Sequence, residues 1–339
     1  MISRETTVIL SQDYELFFHR SGSIEKCLFE PCDALLSSAR SHGYRITFYV
    51  DAGMLFRMQA CSRRHPRLSI AFDRIRKHLA EIVEAGHDIG LHIHPHWEDT
   101  RFVDGEWEFE NTRYQLRDFS DDEVADIVAR YAKVLYEACG LAPASYRAGG
   151  FCIESFDRIG PLLRDVGIEV DSSVVPGAYL EDRDKGFDFR QVAARDWWSF
   201  EKSPEVPHEG GRFLEIPVTP QTLPFSYYWR RLAGKIGHNV APQIFGDGAA
   251  KRIGRAEVLR RLAGLSRVAE MSVDDPKAVA LERLAGQRPA RRLCHIMGHP
   301  KNLSLKSLIC LEKMLRSRGV ERFENVATAA KLIRAGQLN

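Results

Sequence analysis

Three histidines alternate within the stretch GLHIHPHW, which runs from Gly90 to Trp97: His92, His94 and His96. The chain of 339 residues holds only 12 histidines in all, so this is a strong local concentration. On a β-strand, alternate side chains point to the same face. Core packing alone rarely places three imidazoles on one face, and imidazole is a common ligand of divalent metal ions. The stretch therefore predicts a metal site.

Two carboxylates show the same alternation near the start of the chain. Asp13 and Glu15 share parity in LSQDYE, at the end of a β-rich run over 6–13. Two imidazoles and a carboxylate form a common site for a divalent ion, with positions left open for water and substrate. A second carboxylate beside that water can act as a general base. We therefore expect this strand to lie next to the histidine strand.

Other predicted strands also end in residue types that carry chemistry. SYRAGG supplies Arg147 and then two glycines that permit close backbone approach, and VDSSV supplies Asp171. CHIMGHP supplies His295 and His299, which share parity. Polar residues at five predicted strand ends favour one convergent site over five unrelated surface positions.

The elements that must position these residues alternate between strand and helix patterns. Predicted strands cover 6–13, 44–52, 87–95, 145–150, 168–175, 213–218 and 291–299, and predicted helices cover 28–43, 72–86, 120–140, 154–167, 304–319 and 327–336. Ser120 and Glu123 have the capping-box pattern that opens a helix. The alternation predicts parallel strands with helices outside, in a barrel or a doubly wound sheet. Both folds place their sites at the carboxyl ends of the strands.

We expect one domain over 1–339, with insertions at about 97–119, 176–212 and 221–290. The net charge of +2 gives no reason to expect a nucleic-acid partner. The early acidic residues do not fit a secretory signal, and the seven cysteines are scattered without metal-ligand spacing, so we expect reduced thiols and a cytoplasmic protein. The oligomeric state is not readable from the sequence.

The order of these motifs resembles the polysaccharide deacetylase family of the NodB-homology type. Its pattern is matched by Asp-x-Glu, His-x-x-x-His, Arg-Ala-Gly-Gly, a later Asp and a late His, over roughly 5–175 and 290–336. The phrases DYELFF, LHIHPHWED and YRAGG look closest to a bacterial branch associated with lipopolysaccharide and surface-polysaccharide gene clusters. The resemblance implies an α/β fold, a distorted (β/α)7-type barrel. It also implies a metal-dependent hydrolase that removes an N-acetyl group from an amino sugar in a glycan or glycolipid, with one divalent ion, zinc by default.

The resemblance also implies roles for the residues that match its motifs. These roles are catalytic base for Asp13, metal ligands for His92 and His96, orientation of the base for Arg147, tuning of the catalytic histidine for Asp171, and general acid for His299. The family's second aspartate, a metal ligand, is replaced here by Tyr14, so strand parity and family variants with Asp-x-Asp favour Glu15 as the third ligand. Four further residues are expected to contact the substrate: His94, Tyr14, Gly149 and Trp97.

Two other functions remain open at this stage. One is a different metal-dependent amidohydrolase or phosphoesterase that uses His92 and His94 as ligands, although no strand-end lysine is apparent to complete such a site. The other is a catalytically dead carbohydrate-binding protein on the same fold, which Tyr14 in the first motif favours.

One segment has a charge that the whole chain does not. The stretch from Ser226 to Val268 contains nine Lys or Arg residues but only two Asp or Glu residues, and the aromatic run FSYYW lies at its start. Clustered cations with aromatic side chains are typical of segments that bind an anionic membrane surface or a phosphate-bearing glycolipid. The alternative is a solvated helical hairpin. We expect a peripheral contact with the inner membrane face.

Overall fold

The structure, a computed structural model, describes residues 6–153, 155–182, 185–236, 243–250, 254–265, 267–284, 291–316 and 320–338. The strands within these ranges are β1 Thr6–Tyr14, β2 Ile46–Asp51, β3 Asp88–Ile93, β4 Arg101–Val103, β5 Glu106–Glu108, β6 Ser145–Ala148, β7 Val170–Asp171, β8 Tyr179–Glu181, β9 Gly186–Asp188, β10 Trp198–Phe200, β11 Phe213–Glu215, β12 Pro220–Thr222, β13 Val268–Glu270, β14 Leu293–Ile296 and β15 Val320–Glu324. The α-helices are α1 Glu30–His42, α2 Ala52–Ser62, α3 Pro66–Glu84, α4 Asp121–Cys139, α5 Phe156–Asp165, α6 Ser226–Ile236, α7 Arg255–Leu262, α8 Val279–Leu284, α9 Leu305–Leu315 and α10 Val326–Arg334.

One curled sheet organises the described part of the chain. Its strand order is β10-β11-β7-β6-β3-β2-β1-β14, and β15 pairs with the first half of β1. Every pairing in it is parallel except that of β10 with β11. After β11, Val218 and Thr219 run between β7 and β14, where the amide of Thr219 donates to the carbonyl of His295. The prediction of a distorted (β/α) barrel is confirmed.

The central strands are buried on both faces, as parallel strands covered by helices require. All nine residues of β1 are buried. Val8 and Leu10 pack in the large core beneath the helices, whereas Ile9 joins Tyr49 and Leu214 in a smaller core within the curl of the sheet. Asp13 has the parity of Ile9, so it lies at the carboxyl end of the inner face. The alternation read from the sequence is thus the alternation of the folded strand.

Most predicted elements occur, with shifted ends. The capping box of α4 is present, because Ser120 and Glu123 exchange side-chain to backbone hydrogen bonds. Helix α3 begins at Pro66, six positions before the predicted start at 72, and proline suits a first helical turn. Helix α2 was not predicted: Asp51 caps it by accepting from the amide of Met54. Strands β10 and β15 were also missed, and the ends of the helices predicted over 154–167 and 304–319 lie partly outside the described residues.

The three predicted insertions contain the short peripheral elements. Residues 97–119 hold the β4–β5 hairpin, residues 176–212 hold the β8–β9 hairpin and β10, and residues 221–290 hold α6, α7, β13 and α8. Their status as insertions in one domain stays a prediction. Among the described residues, no helix combines the length and the apolarity that crossing a membrane demands. All seven cysteines are free.

Candidate active site

A cavity of about 230 Å³ opens at the carboxyl ends of β1, β3 and β14. Its polar lining includes Asp13, Glu15, His92, His94 and His299, which the sequence singled out. Aromatic rings form much of the remaining wall: Phe17, Phe18, Tyr114 and Phe151. A few convergent polar groups among apolar rings are typical of a small-molecule site. The parallel strands therefore bring these distant residues together, as the sequence predicted.

Glu15, His92 and His94 form a cluster with the donor atoms of a metal site. Their ligand atoms lie within 4.8 Å of one another, and all three residues are buried. Oε2 of Glu15 is 3.3 Å from Nε2 of His92 and 2.7 Å from Nε2 of His94. A buried carboxylate oxygen facing two imidazole nitrogens fits a divalent ion of the zinc type.

Neighbouring residues orient the ring of His92 and leave space for the ring of His94. Nδ1 of His92 lies 2.8 Å from the carbonyl of Arg147, so this nitrogen donates and Nε2 is left for a ligand. Burial lowers the pKa of His94 to about 4, which keeps its ring neutral as metal binding requires. Gly149 lies against the same ring: a Cβ there would be 2.5 Å from Nδ1 of His94. Gly149 was expected to contact the substrate, but it is absent from the cavity lining and instead makes room for His94.

His96, expected to be a ligand, lies outside this cluster. Strand β3 ends at Ile93, and a 3-10 turn begins at Pro95, so the strand alternation stops after His94. The ring of His96 stacks on Tyr114 with centroids 5.3 Å apart, and neither ring nitrogen has a hydrogen-bond partner among the described residues. The structure therefore brings His94, and not the expected His96, next to Glu15 and His92.

Asp13 is held so that one of its oxygens faces the cavity. Nη1 of Arg147 donates to Oδ1 over 2.6 Å, and the guanidinium also donates to Ser11 and to the carbonyl of Ser172. The other oxygen, Oδ2, is 3.8 Å from Nε2 of His92 and 3.7 Å from Nε2 of His299. Arg147 thus holds the carboxylate of Asp13 by Oδ1, and Oδ2 is left available to a molecule in the cavity.

His299 has a carboxylate partner that the sequence did not predict. Nδ1 of His299 lies 2.8 Å from Oδ2 of Asp274, whose Oδ1 accepts from the backbone amide of His299 at 2.7 Å. Burial lowers the pKa of this ring, but the charge and hydrogen bond of Asp274, followed by Asp13 and Glu15, outweigh it and raise the pKa to about 9. The ring is therefore a cation at neutral pH, with Nε2 directed toward Asp13.

Asp171, expected to tune the catalytic histidine, does not contact His299. The parallel register of β7 and β11 sets Asp171 directly beside Glu215, and Ser173 donates to Asp171 from both its amide and its hydroxyl. Burial raises the pKa of both carboxyls, and Asp171 raises that of Glu215 further, so the pair holds a proton. Asp274 makes the contact with His299 that was assigned to Asp171.

Two residues expected at the substrate are buried away from the cavity. Tyr14 is fully buried, and its hydroxyl lies 3.0 Å from Nδ1 of His78 in the core beneath the helices. Trp97 is also fully buried, and its indole donates to Oδ2 of Asp51 over 2.6 Å. Neither residue lines the cavity. Parity explains Tyr14, since it alternates with Asp13 and Glu15 and so points to the helix side of the sheet.

Lys301 is another residue of the cavity lining that the sequence did not single out. Lys301 is buried, and its ammonium donates to Oε1 of Glu15 at 2.8 Å and to the carbonyl of Leu16 at 2.6 Å. It stands two residues after His299, in GHPKN, and this proximity was an available signal. Asp274 also had a signal, because VAEMSVDD reads as a strand that ends in carboxylates, although it falls within the predicted insertion 221–290.

Comparisons with known proteins bear on the fold. No family model matches the sequence, and no curated protein matches it. Among solved structures, one provisionally described as a polysaccharide deacetylase from Mycobacterium smegmatis matches with a TM-score of 0.51 and 16% identity, over 99% of this chain and 93% of that one. An allantoinase matches with a TM-score of 0.45 and 14% identity, over 100% of this chain and 94% of that one. A family 4 carbohydrate esterase from Streptomyces lividans matches with a TM-score of 0.36 and 12% identity, over 92% of this chain and 86% of that one. This chain has the fold of the Mycobacterium smegmatis structure.

Proposed function

We propose that the protein is a metal-dependent hydrolase that removes an N-acetyl group from an amino sugar in a glycan or glycolipid. The observation that carries the proposal is the arrangement around Asp13. Its free oxygen lies within 4 Å of a ring of the metal-ligand cluster, His92, and of a cationic ring, His299. Amide hydrolysis needs a base for water and an acid for the nitrogen, both close to a group that polarises the carbonyl.

Glu15, His92 and His94 would hold the ion. When bound, a divalent ion supplies Lewis acidity, which polarises an amide carbonyl and makes a water easier to deprotonate. Oδ2 of Asp13 accepts the proton of the attacking water, while the hydrogen bond from Arg147 to Oδ1 keeps the carboxylate in place.

Nε2 of His299 donates a proton to the amide nitrogen, because an amine leaves only when protonated. Asp274 holds the opposite ring nitrogen and so sets both the orientation and the charge of the ring. The aromatic walls formed by Phe17, Phe18 and Tyr114 offer apolar faces for a sugar ring.

The finer features are also proposals. The cluster of one carboxylate and two imidazoles supports zinc among divalent ions. The motifs DYELFF, LHIHPHWED and YRAGG support a role in the biosynthesis of lipopolysaccharide or another surface polysaccharide, in the cytoplasm or at the inner membrane face.

The test is release of acetate from N-acetylated amino sugars by protein that has been stripped of metal and reloaded with zinc. We expect turnover only after reloading. Asp13→Asn should retain zinc and lose turnover by about 10²- to 10⁴-fold, the usual contribution of a general base. Glu15→Gln should instead lose zinc. Full turnover by stripped protein, or loss of zinc in Asp13→Asn with Glu15→Gln unaffected, would contradict the roles assigned here.

A second candidate is a catalytically inactive sugar-binding protein on the same fold. Lys301 favours it, because an ammonium 2.8 Å from Oε1 of Glu15 already balances the charge of that carboxylate and repels a second cation. Zinc titration of the stripped protein separates the two functions. Binding at micromolar or tighter affinity supports the hydrolase, and no binding together with retained sugar binding supports the inactive protein.

A further inference from the structure

Large apolar side chains are exposed on and beside α6 and α7. We call four of them the apolar ridge, and their exposed fractions are 55% for Phe225, 48% for Trp229, 65% for Leu259 and 78% for Leu265. Single exposed apolar residues are ordinary, but several on neighbouring elements mark an interaction surface.

The ridge spans both helices. The indole of Trp229 on α6 donates to the carbonyl of Leu262 at the end of α7, over 2.9 Å. The ring of Phe225 lies against Gly264, where a Cβ would be 2.9 Å from it, and Leu265 follows directly. The two aromatic rings therefore lie along the turn that carries the most exposed leucine.

Most charged residues of α6 and α7 are basic. Helix α6 has three basic residues and no acidic residue in its sequence, and Arg230 and Arg255 are exposed. The acidic residue of α7, Glu257, is buried and paired with Arg261 over 2.6 Å. The basic segment predicted from the sequence is thus cationic in the structure, although its residues 251–253 lie outside the described residues, as do the side chains of 231 and 235.

Helix α7 begins beside the wall of the cavity. Gly254, the N-cap of α7, lies against Asp182, because a Cβ there would be 3.1 Å from its Oδ1, and Asp182 lines the cavity. Arg260 on α7 pairs with Glu181 over 2.7 Å and so holds the β8–β9 hairpin. A molecule bound at the ridge would therefore lie near the mouth of the candidate active site.

From this exposure and charge we infer that the apolar ridge inserts into the headgroup region of a bilayer with anionic lipids, and that the sugar acceptor is lipid-linked. The second part rests on the proposed function. Tryptophan and phenylalanine favour the membrane interface, and flanking arginines attract anionic headgroups. An acceptor anchored in that bilayer would carry its sugar to a cavity that opens beside the start of α7.

Sedimentation with vesicles tests the surface. Full-length protein is mixed with vesicles of phosphatidylcholine alone or of an equimolar mixture with phosphatidylglycerol, at low and high salt. We expect binding to the anionic vesicles that salt weakens. Leu259→Ser combined with Leu265→Ser should abolish it, whereas the control pair Leu305→Ser and Ile309→Ser, at two other exposed apolar positions on α9, should leave it unchanged.

Arg230→Ser combined with Arg255→Ser should weaken binding about 30-fold, from about 1 kcal/mol for each cation near an anionic surface. Melting temperatures check that each variant folds. Equal, weak binding to both vesicle types, loss of binding in the α9 pair, or self-association at the ridge detected by light scattering without vesicle binding would each overturn the membrane surface.

The acceptor is tested separately, by acetate release from a lipid-linked N-acetylhexosamine in anionic vesicles and from the same sugar after removal of the lipid. We expect at least tenfold higher kcat/KM for the lipid-linked form. Equal values would overturn the lipid-linked acceptor, while no release from either form, with vesicle binding intact, would contradict the proposed function and not the surface.

Discussion

Replacement of Asp274 by asparagine removes the negative charge that faces Nδ1 of His299 at 2.8 Å. Asparagine has nearly the same shape and keeps an oxygen for the backbone amide of His299, so the loop should stay in place. Charge is then the main change. Asp274 is the largest contribution that raises the pKa of His299 to about 9. Asp13 and Glu15 contribute less, and a bound divalent ion would offset their charges, whereas Asp274 contacts the opposite nitrogen.

The expected loss follows from the protonated fraction of the ring. With a pKa of about 9, about 97% of the His299 rings carry a proton at pH 7.5, but with the ordinary value near 6.5 about 9% do. The general acid is thus about tenfold scarcer in Asp274→Asn at pH 7.5. We expect the alkaline limb of the pH profile of kcat/KM to move from near pH 9 toward pH 7, with the activities converging below pH 6.

The assay is acetate release from an N-acetylated sugar between pH 5 and 10, together with NMR titration of His299 in metal-stripped protein. The matched control is Asp275→Asn, because Asp275 is the next residue but its carboxylate accepts from Ser304. Its profile should be that of the wild type. An Asp274→Asn profile that is lower at every pH with its alkaline limb unmoved would refute the reasoning, since Asp274 would then only support the loop.

Three further predictions concern the ligands and the buried charges. Lys301→Met should tighten zinc binding at least tenfold in calorimetric titrations, because it removes a cation that is hydrogen-bonded to Glu15. Two unit charges about 4 Å apart near a protein surface interact by on the order of 4 kcal/mol. Weaker zinc binding in this variant would mean that the lysine chiefly positions the carboxylate. His94→Ala should abolish zinc binding and His96→Ala should retain it, and the reverse outcome would restore the ligand set expected from the sequence. Glu215 has a raised pKa, so the folded protein binds its proton more tightly than the unfolded chain and the free energy of unfolding falls as pH rises above about 4.5. Glu215→Gln should flatten that slope in urea titrations between pH 5 and 8, and an unchanged slope would count against a shared proton.

Local patterns in the sequence determined the frame of the site. The two-residue period of a strand put Asp13 and Glu15 on one face and His92 and His94 on another, and both pairs reach the cavity because this period is a property of the backbone itself. Arg147 followed from its place at a strand end, since parallel strands bring their carboxyl ends to one edge. The capping box of α4 was readable for the same reason: its hydrogen bonds join residues only three positions apart.

Only the tertiary structure decided which residues complete the site. His94 and His96 look equivalent by parity, but the turn that begins at Pro95 ends the strand and rotates the second ring onto Tyr114. The partner of His299 is Asp274, 25 positions away in a segment that reads as an insertion. Lys301 donates a hydrogen bond to Glu15, which lies 286 positions earlier in the sequence. Such contacts depend on how the chain closes the curl of the sheet. Parity fixes the face on which a side chain lies, whereas long-range packing fixes the neighbour that it meets there.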